Sequence, residues 1–449
     1  MPPSLFGTDG VRGRVGVEPI TPSTILKLGW AIGKTLGTTG SRGGVLIGKD
    51  TRISGYLLES VLEAGLCSAG MDTVLLGPIP TPGIAFLARN TDARAGIVIS
   101  GSHNPYQDNG IKIFSSSGDK LNDKAIGSIE RMMEQPLDCV EARQLGKASR
   151  MVDARDRYIE YCRTTIDPET TLKDLRVVLD CANGAAYDVA PRILSDLGAE
   201  LTVMGNTPDG YNINRQCGST DLRALQSRVL ESGADLGMAF DGDADRVLLV
   251  NSKGNPVNGD EILYVLTRYR QRTGQVGGGI VGTVLSNIGL EQSLKESGIP
   301  FVRTRVGDRF VQEELVARNW ILGGEASGHI ICLDKSTTGD GIVCGLEVLA
   351  AMCETGKSLE QLCEGMTLYP QHAVNIPIDP DSAGSVSDHP VVLDAISDIQ
   401  DILGSRGRIV LRPSGTEPLF RVMLEGEDPD QLELLTDRIV EAINRAVSV

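Results

Sequence analysis

Several short runs in this sequence combine residue types that suit phosphoryl chemistry. Residues 241 to 246 read Asp-Gly-Asp-Ala-Asp-Arg. Asp241, Asp243 and Asp245 alternate, so an extended backbone puts their carboxylates on one face. Carboxylates that close repel, and a hard cation with oxygen ligands relieves the repulsion. Magnesium is the expected ion, because it also neutralises charge on a transferring phosphoryl group. The run lacks the glutamate-closed calcium loop of an EF-hand. The bland alternative is a solvated acidic turn with Arg246 on the surface. In the functional alternative, Arg246 touches the phosphoryl group or holds a carboxylate.

Ser102 lies in Ser-Gly-Ser-His-Asn-Pro, directly after the apolar run 95 to 100. Glycine permits a tight turn and Pro105 stiffens its exit. A hydroxyl at the end of a buried strand is placed for covalent chemistry, or it simply caps a turn or helix. No G-x-S-x-G elbow is present, and His103, adjacent in sequence, is expected to point elsewhere. An acyl-transfer triad is therefore a poor fit.

Arg412, Ser414, Gly415 and Thr416 supply a guanidinium fork, two hydroxyls and turn amides. They form an anion cradle without a Walker lysine, or else a tight turn with an incidental arginine. Glu325 and Ser327, two residues apart, suit paired sugar hydroxyls. His329 is either a proton-transfer group or a structural hydrogen-bonding residue. Arg12, Lys49, Arg52 and Lys112 bring positive charge, with Lys112 a candidate acid/base or charge stabiliser. Asp50 and Arg52 also suit a plain ion pair. The glycine-rich start carries Thr8, Asp9 and Arg12 and reads as a loop folded into a cleft.

Alternating strand-like and helix-like runs position these groups and indicate an α/β protein. Strands are expected at 44 to 48, 73 to 76 and 95 to 100, in an open, mostly parallel sheet with functional loops at C-terminal strand ends. The rhythm restarts at 175 and again near 278. Residues 381 to 389 read as a linker, and 408 to 411 and 419 to 424 as two strands. Leu432, Leu435, Ile439, Ile443 and Ala446 give the tail a helical apolar face. Four domains follow: 1–155, 156–255, 256–370 and 371–449.

Composition narrows the class. The net charge of -16 argues against a nucleic-acid surface, but not against a small anionic substrate. No apolar run is long enough to span a membrane, and no secretory signal opens the chain, so a cytoplasmic location is expected. Nine dispersed cysteines without a C-x-x-C pair read as buried thiols. Four histidines argue against a histidine-rich transition-metal site.

Taken together, SHNP around Ser102, DGDADR at 241 to 246, GEASGH at 324 to 329 and RPSGTEP at 412 to 418 resemble the alpha-D-phosphohexomutase superfamily over essentially the whole chain. The resemblance implies a four-domain architecture around a central cleft. Three related α/β domains would be followed by a TATA-box-binding-protein-like domain. It implies phosphorylation of Ser102, with Asp241, Asp243 and Asp245 binding Mg2+ together with that phosphate. Glu325 and Ser327 would hold sugar hydroxyls. Arg412, Ser414, Gly415 and Thr416 would hold the phosphate not being transferred. Arg12, Lys112, Arg246 and His329 would line the transfer site. LFGTDGVRG, NINRQCGST, VGTVLSNIGL, VGDRFV and DKSTTGDGI are similar to the glucosamine-handling branch. That branch interconverts glucosamine 6-phosphate and 1-phosphate through glucosamine 1,6-bisphosphate, upstream of cell-wall precursors. A mannose- or glucose-phosphate mutase is the alternative. Ala326 stands where the glucosamine branch commonly has glutamine, and Gly101 where alanine is commoner. The expected partner is a small phosphosugar, with the chain a monomer or homodimer.

Overall fold

The computed structural model describes residues 5–7, 9–37, 43–378, 386, 388–413 and 419–447. Two compact units separate: Met1–Val281 with Gly307–Cys363, and Gly282–Val306 with Glu364–Val449.

In the first unit, alternating apolar and β-branched runs make buried strands, and each loop at a strand end carries polar residues. The first sheet contains β1 (Val11–Arg14), β2 (Val45–Lys49), β3 (Thr73–Pro78), β4 (Ala95–Ile99), β5 (Asp108–Ser115) and β6 (Ala148–Arg150). Their spatial order is β1-β5-β4-β2-β3-β6. β4, β2, β3 and β6 run parallel, as expected. β5 was not expected, because its Asp-Asn-Gly start reads as a turn; it lies antiparallel to β4, with Ile99 opposite Ile111. The Ser102 loop is therefore the connection between antiparallel neighbours.

Helix α1 (Pro22–Leu36) starts on a Thr21 cap with Pro22 in its first turn. It packs on α2 (Ser54–Ser68). A Cβ on Gly65 would lie 2.1 Å from Leu26 O, so only glycine permits this crossing. Leu28, Ile32, Leu58, Leu62 and Leu66 from the two helices close over Ile47 and Ile97 of the sheet. α3 (Thr81–Arg89), α4 (Asp123–Met133) and α5 (Ala154–Arg163) complete this part.

The second sheet has the order β11-β10-β9-β7-β8. Its strands are β7 (Arg176–Asp180), β8 (Glu200–Met204), β9 (Leu236–Phe240), β10 (Val247–Asn251) and β11 (Pro256–Val257). α6 (Val189–Asp196) includes Pro191 in its first turn, where a proline is tolerated, and α7 (Arg223–Ser232) covers Val178 and Ala239. The acidic run 241 to 246 joins β9 to antiparallel β10, as expected from its place between two apolar runs.

α8 (Gly259–Thr273) begins with an Asn258–Glu261 capping box and leads into β12 (Ile280–Thr283). Beyond α9 (Ile288–Glu296) and β13 (Phe301–Thr304), chain order gives α10 (Asp308–Arg318), β14 (Leu322–Gly324), β15 (Ile330–Cys332), α11 (Gly341–Thr355) and α12 (Leu359–Cys363). β14 pairs antiparallel with β15, so 325 to 329 form the turn between them.

The second unit contains α9, β13 and the antiparallel sheet β16-β18-β17: β16 (Gln371–Pro377), β17 (Arg408–Pro413) and β18 (Leu419–Glu425). α13 (Pro390–Leu403) and α14 (Pro429–Val447) cover it, with Leu432, Leu435, Ile439 and Ile443 in the core and Ala446 packed beside them. The expected linker at 381 to 389 falls largely outside the described residues. All nine cysteines are free, but only Cys162, Cys181, Cys217, Cys332 and Cys344 are buried as expected; Cys67, Cys353 and Cys363 are half-buried and Cys139 is exposed.

Candidate active site

The Ser102 loop leaves β4 with its backbone tightly held. Ser102 has φ of +49°, a left-handed conformation uncommon for serine and frequent at functional turns. Its N–H donates to Ser100 Oγ at 2.8 Å, and Ser100 Oγ donates to Asp50 Oδ2 at 2.5 Å. Arg52 ion-pairs with Asp50, as one alternative had it, and also donates to Ser102 O at 3.0 Å. Asn214 donates to the same carbonyl at 2.8 Å. Gly242 packs against this carbonyl: a Cβ there would sit 2.5 Å from Ser102 O.

These restraints aim Ser102 Oγ at the acidic loop, where it donates to Asp241 Oδ2 at 2.6 Å. His103 does not point elsewhere: its Nδ1 is 3.4 Å from Ser102 Oγ, because the left-handed turn folds both side chains to one side. Burial first, then the nearby Arg246 and Arg12 cations, push His103 down to about 4, so it is neutral at pH 7.

Asp241, Asp243 and Asp245 are buried and bring carboxylate oxygens within 4.8 Å of one another. Thr81 Oγ1 donates to Asp243 Oδ2 at 2.6 Å. Lys112 Nζ lies 3.0 Å from both Asp243 Oδ2 and Asp245 Oδ2. Asp243 Oδ1 and Asp245 Oδ1 are buried without a hydrogen-bond partner. Orphaned carboxylate oxygens of this kind are costly unless a cation receives them. The donor set therefore fits a hard divalent ion such as Mg2+.

Electrostatics within the cluster are uneven. Burial first, then the Asp245 and Asp243 charges, hold Asp241 well above the usual carboxylate range. Burial also works to raise Asp243, but Lys112 and the Thr81 hydroxyl outweigh it and hold its carboxyl down. Burial opposes charge on Lys112, yet Asp243, Asp245 and Asp9 outweigh it, so the group stays an ammonium. This favours charge stabilisation over base catalysis for Lys112.

Arg246 donates its N–H to Asp241 Oδ1 at 3.2 Å, and its Nε lies 3.8 Å from Asp245 Oδ1. Arg12 pairs with Asp9, whose carboxylate is 3.3 Å from Lys112. His329 is buried, with Nε2 3.9 Å from Asp245 and 3.5 Å from Asp308. Neither ring nitrogen of His329 has a hydrogen-bond partner. Glu325 is half-buried and accepts from Gly307 N–H at 3.0 Å, while Ser327 is exposed. Lys49 belongs elsewhere, paired with Glu59.

Ser102, the three aspartates, Arg12, Lys112, Arg246 and His329 are thus brought together. Arg412 lies on β17 in the other unit, and Ser414, Gly415, Thr416 and also Thr8 fall outside the described residues. Sequence reasoning missed Thr81, Asn214, Lys120 and Asp308: Thr81 and Lys120 sit in no telling local pattern, while Asn214 and Asp308 lie in the NINRQCGST and VGDRFV runs without having been singled out. A cavity of about 710 Å³ lined by Asp167, Asp174, Cys353 and Glu354 contains none of the site residues.

A hydroxyl directed into an acidic, cation-fitting pocket can take and return a phosphoryl group. Four domain models described as phosphoglucomutase/phosphomannomutase match the chain: alpha/beta/alpha domains I, II and III at 3–137, 156–254 and 258–369, and the C-terminal domain at 374–442. Among solved structures, a phosphoglucomutase/phosphomannomutase family protein from Burkholderia thailandensis is similar in fold, with a TM-score of 0.84, 24% identity and coverage of 99% of this chain and 97% of that one. N-acetylphosphoglucosamine mutase from Aspergillus fumigatus superposes with a TM-score of 0.67 at 16% identity, covering 98% and 96%. The architecture is that of a four-domain phosphohexomutase: three α/β domains and a C-terminal domain.

The chain is 55% identical over 438 residues to a phosphoglucosamine mutase of Escherichia coli O7:K1, covering 98% of each. It is 55% identical over 445 residues to that of Sodalis glossinidius, again covering 98% of each. The chain belongs to the phosphoglucosamine mutase family.

Proposed function

We propose that this chain interconverts glucosamine 6-phosphate and glucosamine 1-phosphate, with Ser102 as the phosphoryl carrier, and so supplies UDP-N-acetylglucosamine and cell-wall synthesis. The observation that carries the proposal is Ser102 Oγ at 2.6 Å from Asp241, beside buried carboxylate oxygens on Asp243 and Asp245 that lack partners.

In the first half-reaction, the sugar's 1-oxygen bonds to the phosphorus carried by Ser102. The P–Oγ bond breaks and Oγ keeps the electron pair. The displaced hydroxyl proton passes to His329, whose ring nitrogens have no hydrogen-bond partner. The product is glucosamine 1,6-bisphosphate, which turns over within the site. Ser102 Oγ then bonds to the 6-phosphorus, the bond from that phosphorus to the sugar's 6-oxygen breaks, and the 6-oxygen keeps the electron pair and takes the proton back from His329. Glucosamine 1-phosphate leaves and the carrier is restored.

Asp241, Asp243 and Asp245 would hold Mg2+, which when bound neutralises phosphoryl charge. Lys112, Arg12 and Arg246 add fixed positive charge around the transferring group. Glu325 and Ser327 hold ring hydroxyls. Arg412 with Ser414, Gly415 and Thr416 recognises the resting phosphate as an anion, which suits either end of the sugar. The domain limits belonging to this account are 1–155, 156–255, 256–370 and 371–449, in a cytoplasmic monomer or homodimer.

Ala326 favours a second reading, a broad mutase for glucose or mannose phosphates. Its short side chain is half-buried in the sugar loop, where the glucosamine branch commonly carries the longer glutamine. Specificity constants for the glucosamine, glucose and mannose 6-phosphates, with magnesium and a trace of bisphosphate, separate the two. A clear preference for glucosamine supports the first; equal values would replace it with the second.

A further inference from the structure

Lys120 lies outside every motif of the sequence, yet it joins two parts of the site. Its backbone is fixed by the turn that follows β5, where it bridges Phe114 and Ser115 N–H donates to Asp119 O at 2.7 Å. Its side chain is only 16% exposed. Nζ lies 2.6 Å from Asp9 Oδ1 and also ion-pairs with Asp308.

Each carboxylate continues the connection. Asp9 pairs with Arg12 and lies 3.3 Å from Lys112, which touches Asp243 and Asp245. Asp308 opens α10 and lies 3.5 Å from His329 Nε2. The residue before it, Gly307, donates its N–H to Glu325 Oε1. One ammonium therefore links the Ser102 side of the site to the sugar loop.

Neighbouring contacts join the same two segments. Thr337 Oγ1 donates to Gly118 O at 2.5 Å, and Gln312 Nε2 donates to Thr337 O at 2.7 Å. Arg309 pairs with Asp123 at 2.7 Å, but Asp123 is 79% exposed, so water screens that pair. Lys120 is different because it is enclosed. Without it, Asp9 and Asp308 would face each other across a poorly solvated gap with no shared cation, and they would repel.

We propose that Lys120 is a positioning residue for phosphoryl transfer: by holding Asp9 and Asp308 together, it fixes Glu325 relative to Ser102. This rests on Ser102 as carrier and Glu325 as sugar ligand. A fixed separation matters because the bisphosphate must turn over without leaving, and a displacement of about 1 Å can cost ~100-fold in rate. Slack at this joint lets the intermediate escape.

The test compares Lys120→Met, Lys120→Arg and Asp308→Asn with the unaltered protein. Phosphate on Ser102 is read by peptide mass after incubation with glucosamine 1,6-bisphosphate. Steady-state constants are measured, and bisphosphate released per turnover is counted with phosphorus-labelled enzyme. Lys120→Met should raise KM and lower the specificity constant by ~10- to 100-fold. It should also increase bisphosphate release while still accepting phosphate on Ser102. Asp308→Asn should leak in the same direction, and Lys120→Arg should retain the intermediate almost normally. Unchanged KM and release in folded Lys120→Met, or Lys120→Arg as leaky as Lys120→Met, would overturn the positioning role. Should Lys120→Met not fold, unchanged release in Asp308→Asn overturns it equally. No phosphate on Ser102 in the unaltered chain overturns the carrier assignment instead.

Discussion

Ser102 Oγ faces Asp241, while its carbonyl is held from Arg52 and Asn214. Replacing it with alanine removes the carrier atom and leaves these backbone contacts in place. Ser102→Ala should therefore fold normally, lose essentially all turnover and show no phosphate adduct by intact mass. Gly242→Ala tests the approach of the two loops. Its Cβ would press within 2.5 Å of Ser102 O and 2.8 Å of Ile213 Cδ1. The serine loop must shift, so kcat should fall by about 10- to 100-fold with little change in KM. Chelation tests the aspartates: removing divalent ions should stop turnover, magnesium should restore it, and phosphate should stay on Ser102 throughout. At this scale the sequence was most legible where partners are contiguous. Asp241, Asp243 and Asp245 share one run, so their grouping was legible, although they converge through a turn with Ala244 at φ of +58° rather than along an extended backbone. The Lys120–Asp308 pair was not legible, because its members lie 188 residues apart. His103 also escaped, because its direction depends on the left-handed φ of Ser102, which residue identity does not disclose.

The elements that hold the site have their own sensitivities. Asp340 caps α11, accepting from Val343 N–H at 3.0 Å, and it accepts from Tyr158 OH at 2.8 Å. Burial, only partly offset by these hydrogen bonds, pushes Asp340 up to about 6. The folded chain thus holds this proton more tightly than the unfolded chain, whose carboxyl titrates near 3.8. Raising the pH from about 4 to about 6 then costs folding free energy at this group. Asp340→Asn keeps its one acceptor oxygen for the cap, turns an amide donor toward the Tyr158 hydroxyl oxygen, and cannot ionise. Its melting temperature relative to the unaltered chain should rise across that window, as thermal unfolding at several pH values would show. In the second unit, Ile439 is fully buried, and Ile439→Ala should cost ~2–5 kcal/mol in denaturant unfolding. α14 was legible because its apolar stripe repeats at helical period. β5 was not, because Asp108-Asn109-Gly110 carries turn residues and only pairing with β4 and β1 makes it a strand.

At the scale of the whole molecule, a strongly acidic chain handles an anionic sugar phosphate by local concentration of cations. Lys112, Arg12 and Arg246 gather beside Ser102 although the net charge is -16. No described helix is long and apolar enough to cross a membrane. The family membership accounts for the four-part organisation that strand and helix rhythm had already suggested. The sugar was the least legible feature, because preference depends on how Glu325, Ala326 and Ser327 are presented in space. The most direct measurement of the central claim is a single-turnover chase. Enzyme carrying labelled phosphate on Ser102 is mixed with unlabelled glucosamine 6-phosphate and quenched over time. The label should leave Ser102 and appear first in glucosamine 1,6-bisphosphate. Label that stays on Ser102 while glucosamine 1-phosphate accumulates, or that appears directly as inorganic phosphate, would contradict the account.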